Sequence, residues 1–307
     1  MRIGLARALH FYSYGLLWYC FLKELGQQVV LSDLSNQQIL EAGARHMVDT
    51  ACLPLKILNG HIENLKEKKV DYIFLPRIVR ESQDTFSCPK AAGLPELITA
   101  SSSQLPPLLS PVIEGSIASA SPYYATGRVL GKSRGQVKKA YEKAYYQWDA
   151  MRQREKAKNQ NAGPTIAILS HAYLSEDRFV SFQLKEQLQK LGYHVITAPL
   201  HALMPQDASI FPHYMFWQSG QNMGALMQGK QTKKERKTKP IAGYIFLSAF
   251  GCGPDSYIET YCRKAAEKQG AAYLLLTLDE QTGKAGVMTR LEAFLDVVKR
   301  CEKRRGA

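Results

Sequence analysis

Short apolar runs alternate with amphipathic stretches along most of the chain, the pattern of strands and helices laid down in turn in a parallel α/β protein. Arg2 to Ala8 predicts a first strand, and Tyr14 to Leu25 a helix that stops at Gly26. Gln28 to Ser32 reads as a second strand and Ser35 to Ala42 as a helix, with Ser35 at its N-cap. Cys52-Leu53-Pro54 opens a helix running to about Glu67, and "DYIFLP" (Asp71 to Pro76) is the next strand. A proline-interrupted strand is expected within Gln104 to Ile113, and a long polar helix from about Ser133 to Lys156. Residues 157–163, "AKNQNAG", have linker composition.

The alternation then starts afresh. Strands are predicted at Thr165–Ser170, His194–Ala198, Ile241–Ser248 and Ala272–Leu278, with helices at Phe179–Leu191, Ser256–Gln269 and Thr289–Arg300. Thr289 would cap the last helix, with Glu292 completing a capping box. The expectation is two domains, 1–160 and 161–307, each a doubly wound unit of Rossmann or flavodoxin type.

Composition narrows the class. No apolar run reaches the length of a membrane span, and the first residues lack signal-peptide order, so a cytoplasmic protein is expected. The formal charge is +13, concentrated in residues 132–158, Lys230 to Lys239, and Lys299 to Arg305. These runs lack interleaved aromatics and no nucleic-acid module is visible, which argues against nucleic acid as a partner. They read either as solvated surface or as docking sites for an acidic partner. Gln228 to Pro240 is a basic, polar insertion expected to form a mobile loop. Gly127 to Ser133, "GRVLGKS", is one residue short of P-loop spacing and follows no clear strand, so no phosphate loop is assigned to it.

Six cysteines in 307 residues are too sparse for a disulfide scaffold. Three share a setting: Cys52 at a helix start, Cys88 before Pro89, and Cys252 in "GCGP" between a strand and a helix. Loops at the carboxyl ends of parallel strands gather ligand-binding groups, and helix N-termini there stabilise anions such as thiolates. Cys20 and Cys262 fall inside helices and read as small buried hydrophobes, while Cys301 is near the C-terminus. No CxxC pair is present, so from spacing alone metal binding and ordinary structural thiols both remain open.

Several segments resemble the acyl-CoA dehydratase activase-related family, which is linked to the iron–sulfur proteins of 2-hydroxyacyl-CoA (2-hydroxyglutaryl-CoA) dehydratases. They are "IGLARAL", "YGLLWYCFLKELG", "VDTACLPLKILNGHI", "SCPKAAGLPELI", "SHAYLSEDRF", "IFLSAFGCGPDS" and "LLLTLDEQTGKAGVMTRLEAFLD". The resemblance implies a [4Fe–4S] cluster bound by Cys52, Cys88 and Cys252 at a site between the two domains. It also implies low-potential electron transfer, or reductive chemistry at an iron without a cysteine ligand. The fused activases of that family carry an ATPase domain not seen in these residues. A separate activator ATPase or low-potential donor is therefore the expected partner, together with a homodimer mate or a dehydratase-like subunit.

Around such a cluster, Lys56, His61, His171 and Tyr173 are candidates for charge compensation and hydrogen bonding. Each also has a purely structural reading, as a surface lysine or packed loop residues. Tyr214 and Trp217 read as pocket-lining or core aromatics. Gly60, inside the helix after Cys52, implies close approach of another backbone or of the cluster. Three function classes stay open: a redox enzyme component, a non-catalytic cluster carrier, and a zinc-binding or metal-free α/β binding protein.

Overall fold

The computed structural model describes residues 1–81, 85–158, 163–198, 210–228 and 241–306. The chain divides into two compact units, Met1–Glu155 and Lys156–Ala307. In the first, β1 (Arg2–Leu5), α1 (Phe11–Glu24), β2 (Gln28–Leu31), α2 (Gln37–His46) and α3 (Leu53–Glu67) are followed by β3 (Tyr72–Phe74) and β4 (Arg77–Arg80). Then come α4 (Pro89–Ala92), α5 (Leu94–Ser101), β5 (Leu108–Leu109), β6 (Val112–Glu114), α6 (Tyr124–Val129) and α7 (Arg134–Lys158). The second unit contains β7 (Thr165–Ser170), α8 (Ala172–Ser175), α9 (Leu184–Lys190), β8 (His194–Thr197), α10 (Gln218–Met227), β9 (Ile241–Ala249), α11 (Gly253–Lys268), β10 (Ala272–Leu278) and α12 (Lys284–Gly306).

The main sheet of the first unit is parallel, in the order β2-β1-β3-β5. That of the second is parallel, in the order β10-β9-β7-β8. Counted within its own unit, each sheet has the strand order 2-1-3-4, so each has a topological switch point between its first and third strands. In such sheets a crevice opens there, at the carboxyl ends of the strands. A parallel pair, β4 with β6, forms a separate two-stranded sheet in the first unit.

Helices cover both faces of each main sheet. On one face of the first unit, Ile3, Leu5 and Phe74 pack with Leu17, Trp18 and Phe21 of α1 and Tyr141 and Ala144 of α7. On the opposite face Gly4 lies against Leu65 of α3 and Val70. In the second unit Ala167, Leu169, Tyr244 and Phe246 pack with Met223 of α10 and Ile258 and Cys262 of α11. Gly243 faces Phe294 and Val298 of α12 on the other side.

Several local details depart from the sequence pattern. Asn36, not Ser35, caps α2, its Oδ1 accepting from the Ile39 amide at 3.0 Å. Ser35 Oγ instead pairs with His61 Nε2 at 3.0 Å. The expected Phe179–Leu191 helix begins only at Leu184. Before it, the Asp177 carboxylate accepts from the Phe179 and Val180 amides, and Phe182 and Gln183 adopt left-handed backbone conformations. Thr289 caps nothing, because α12 starts five residues earlier; its hydroxyl donates to the Ala285 carbonyl at 3.2 Å. The "GRVLGKS" stretch begins inside α6, and Ser133 forms a capping box with Gln136 at the head of α7. The basic run Lys230–Lys239 lies outside the described residues, as does part of the linker at 157–163.

Candidate functional site

Each of the three singled-out cysteines is the N-cap of a helix with a proline in its first two positions: Cys52 before α3, Cys88 before α4 and Cys252 before α11. Proline fits there because the first-turn amide it lacks has no intrahelical partner. The remaining first-turn amides are left pointing toward the cap residue. In the first unit, the Ala91 amide donates to Cys88 Sγ at 3.4 Å.

The Cys52 and Cys88 thiols lie close enough to interact electrostatically. Burial is the largest influence on Cys52 and pushes its thiol above the ordinary range. The proximity of Cys88 acts in the same direction, and the Leu55 amide and Lys90 ammonium partly offset both. Two neighbouring cysteines, one of them largely buried, are donors that a thiophilic cation could use.

Lys56, one turn into α3, is only 2% exposed, and its ammonium donates to the Asp49 carbonyl at 3.1 Å. It is not a surface lysine. His61 is fully buried, nine residues beyond Cys52, a rise of about 13 Å along the helix. Burial is the main cause that pulls its imidazole down to about 4. Gly60 makes the close approach that its position implied, to the Ile39 carbonyl of α2.

The switch point of the first unit carries a small apolar cleft. It is lined by Leu5 at the end of β1, Ala8, Leu9 and His10 just beyond it, and Leu75 and Pro76 after β3.

In the second unit the corresponding place is polar. His171 follows β7 and Cys252 follows β9, the two strands that flank the switch point. Gly251, at φ +75°, turns the chain out of β9 toward α11 in a conformation that side-chain-bearing residues rarely adopt. Asp255, in the first turn of α11 and 1% exposed, pairs through Oδ1 with His171 Nε2 at 2.9 Å. Its Oδ2 accepts from Ser248 Oγ at 3.0 Å. The Tyr173 ring stacks on His171, centroids 4.8 Å apart and planes 9° from parallel. One ligand atom each from His171, Cys252 and Asp255 lie within 4.8 Å of one another.

Sequence reasoning found His171, Tyr173 and Cys252 but missed Asp255 and Ser248. An acid three residues after a helix-capping cysteine was the available signal for Asp255, because the first helical turn favours a carboxylate. Tyr214 is mostly exposed and accepts from Gln221 Nε2 at 3.2 Å; Trp217 packs against Phe216 and Tyr257.

Residues 2–200 match the family described as CoA enzyme activase uncharacterised domain (DUF2229). The chain belongs to that family. The match includes Cys52, Cys88 and His171 of this CoA enzyme activase-related chain and ends before Cys252 and Asp255. It agrees with the activase-related resemblance drawn from the sequence segments. No curated protein matches. Among solved structures the chain is similar to "the SBP FpvC from pseudomonas aeruginosa in complex with Mn2+", at 13% identity over 99% of each chain. The TM-score is 0.29, which carries no argument about fold or ligand. Among the described residues no helix is long and apolar enough to cross a membrane.

Proposed function

We propose that this CoA enzyme activase-family chain binds a [4Fe–4S] cluster and passes single low-potential electrons. Cys52 and Cys88 of the first unit and Cys252 of the second are its thiolate ligands. The observation that carries the reading is the shared setting of the three: each caps a helix with an early proline, and Cys88 lies close enough to Cys52 to act on it electrostatically. The first unit is the cluster-binding domain in this reading, and the second contributes the third cysteine.

When bound, the cluster supplies one-electron chemistry. The chain's own residues do the rest. The amides of the first helical turns and the Lys90 ammonium favour charged sulfur over neutral thiol. The Ala91 amide, directed at Cys88 Sγ, supplies the kind of hydrogen bond that tunes cluster potential. The energy that drives the electrons comes from a separate ATPase protein, and a dehydratase-like subunit receives them.

The test is iron and sulfide content after anaerobic purification or reconstitution, with electron paramagnetic resonance of the reduced protein. About four irons per chain are expected, as a cubane requires. Cys52→Ala and Cys88→Ala should each remove most of the iron, and Cys20→Ala should remove none. Full iron in both Cys52→Ala and Cys88→Ala would refute the proposal.

A further inference from the structure

The His171–Cys252–Asp255 group is complete within the second unit and requires nothing from Cys52 or Cys88. We propose that it is a mononuclear site for a borderline divalent cation of the zinc class, with an imidazole nitrogen, a thiolate and one carboxylate oxygen as its three protein ligands. The proposal goes beyond the cluster reading and stands on different residues, apart from Cys252.

The donor set argues for the metal class. Thiolate with imidazole selects zinc-like ions over magnesium or calcium, which favour an all-oxygen shell. A tetrahedral ion with bonds of about 2.0 to 2.3 Å holds its donors about 3.3 to 3.6 Å apart. The three donors already fall within 4.8 Å, and the imidazole–carboxylate pair is at 2.9 Å. Ligation therefore needs side-chain adjustments of about 1 Å or less, with the cation replacing the proton that His171 and Asp255 share. The ion would also displace the thiol proton of Cys252, as such sites require.

The surroundings are built to hold these groups in place. Asp255 is almost fully buried, and the Ser248 hydroxyl engages Oδ2, leaving Oδ1 directed at His171. Tyr173 fixes the plane of the imidazole by stacking. His171 and Cys252 are both partly exposed, which gives an ion a route in and leaves a fourth position for water or a substrate atom. The location is the switch point between β7 and β9, the place where sheets of this order bind ligands. Both occupants draw on the Cys252 thiolate, so a divalent ion there and the cluster are expected to compete for this chain.

The experiment titrates cluster-free, reduced, full-length protein with Co2+ as an optical probe and then displaces it with Zn2+. One cobalt per chain is expected to give thiolate-to-metal charge-transfer absorption, and Zn2+ should abolish it. His171→Gln, Asp255→Asn and Cys252→Ser should each weaken binding by about tenfold or more. Cys52→Ser and Cys88→Ser should leave it unchanged. Absence of the band, its loss in Cys52→Ser or Cys88→Ser, or its survival in His171→Gln would each overturn the site.

A second measurement needs no substituted protein: Zn2+ should slow alkylation of Cys252 in the native chain without slowing that of Cys20. Equal rates with and without Zn2+ would also overturn it. Failure of the cluster reading appears separately, as retained iron in Cys52→Ala and Cys88→Ala.

Discussion

Replacing Gly60 by alanine should destabilise the first unit, although the same change in an exposed helix would stabilise it. An alanine Cβ at Gly60 would lie 1.8 Å from the Ile39 carbonyl oxygen of α2. The facing position is just as tight: a Cβ at Gly43 would lie 1.7 Å from the Lys56 carbonyl oxygen and 2.7 Å from the Gly60 amide nitrogen. Ordinary contacts begin near 3.4 Å, so α2 and α3 must separate by more than about 1.5 Å. Backbone carbonyls cannot swing aside as a side chain can. Overpacking of this kind costs about 3 kcal/mol or more, at the upper end of the usual range. Alanine returns about 1 kcal/mol in helix propensity. The expected net loss is about 2 kcal/mol, or roughly a 1 M fall in urea midpoint at typical slopes. Tryptophan fluorescence during urea unfolding suits the assay, because Trp18 and Trp148 are both buried in the core of this unit. An unchanged or raised midpoint for Gly60→Ala would refute the reasoning that backbone contact between α2 and α3 requires glycine.

Three further outcomes follow from particular groups. The His61 imidazole is pulled from 6.5 to about 4 by burial, so it is neutral when folded at pH 5 while the unfolded chain is protonated. Stability that is intact above pH 6.5 is therefore lost as the pH falls toward 4. Denaturation at pH 7 and pH 5 should differ by up to about 2 kcal/mol from this residue, a difference that His61→Gln removes. Cys262 is fully buried and its thiol is pushed well up, chiefly by that burial, so native-state maleimide labelling with peptide mass analysis should leave it unmodified while Cys301 reacts. Charge reversal of Lys233, Lys234, Arg236 and Lys237 should slow reduction by a low-potential donor protein at low salt without changing iron content. An unchanged reduction rate would mean the run is solvated charge and nothing more.

The parallel strands were legible because both faces of each sheet are covered, which makes the strands continuous apolar runs such as "TIAILS" and "YIFLSAF". Helix starts were less legible where two polar residues competed. Asn36 and Ser35 are adjacent candidates for one cap; Asn36 takes it, and Ser35 Oγ pairs with the buried His61 instead. Burial of Lys56 was invisible for a related reason, because its ammonium is satisfied by the Asp49 carbonyl, an acceptor present at every residue. The cysteine settings could be read locally, since cap and proline are neighbours in sequence. The pairing of His171 with Asp255 spans 84 residues and depends on two strands lying side by side, which no local pattern encodes.

The repeated strand order also bears on how the protein is made. Each sheet is assembled from a consecutive stretch of chain, so the first unit can complete its fold on the ribosome before the second has emerged. Roughly a hundred residues separate Glu155 from Cys252, which at about 5 to 20 residues per second is a delay of about 5 to 20 s. Cys52 and Cys88 are therefore brought together while Cys252 is still unsynthesised. On the proposed cluster reading, the nascent chain then carries two of the three ligands without the third, so a complete ligand set has to wait for the second unit.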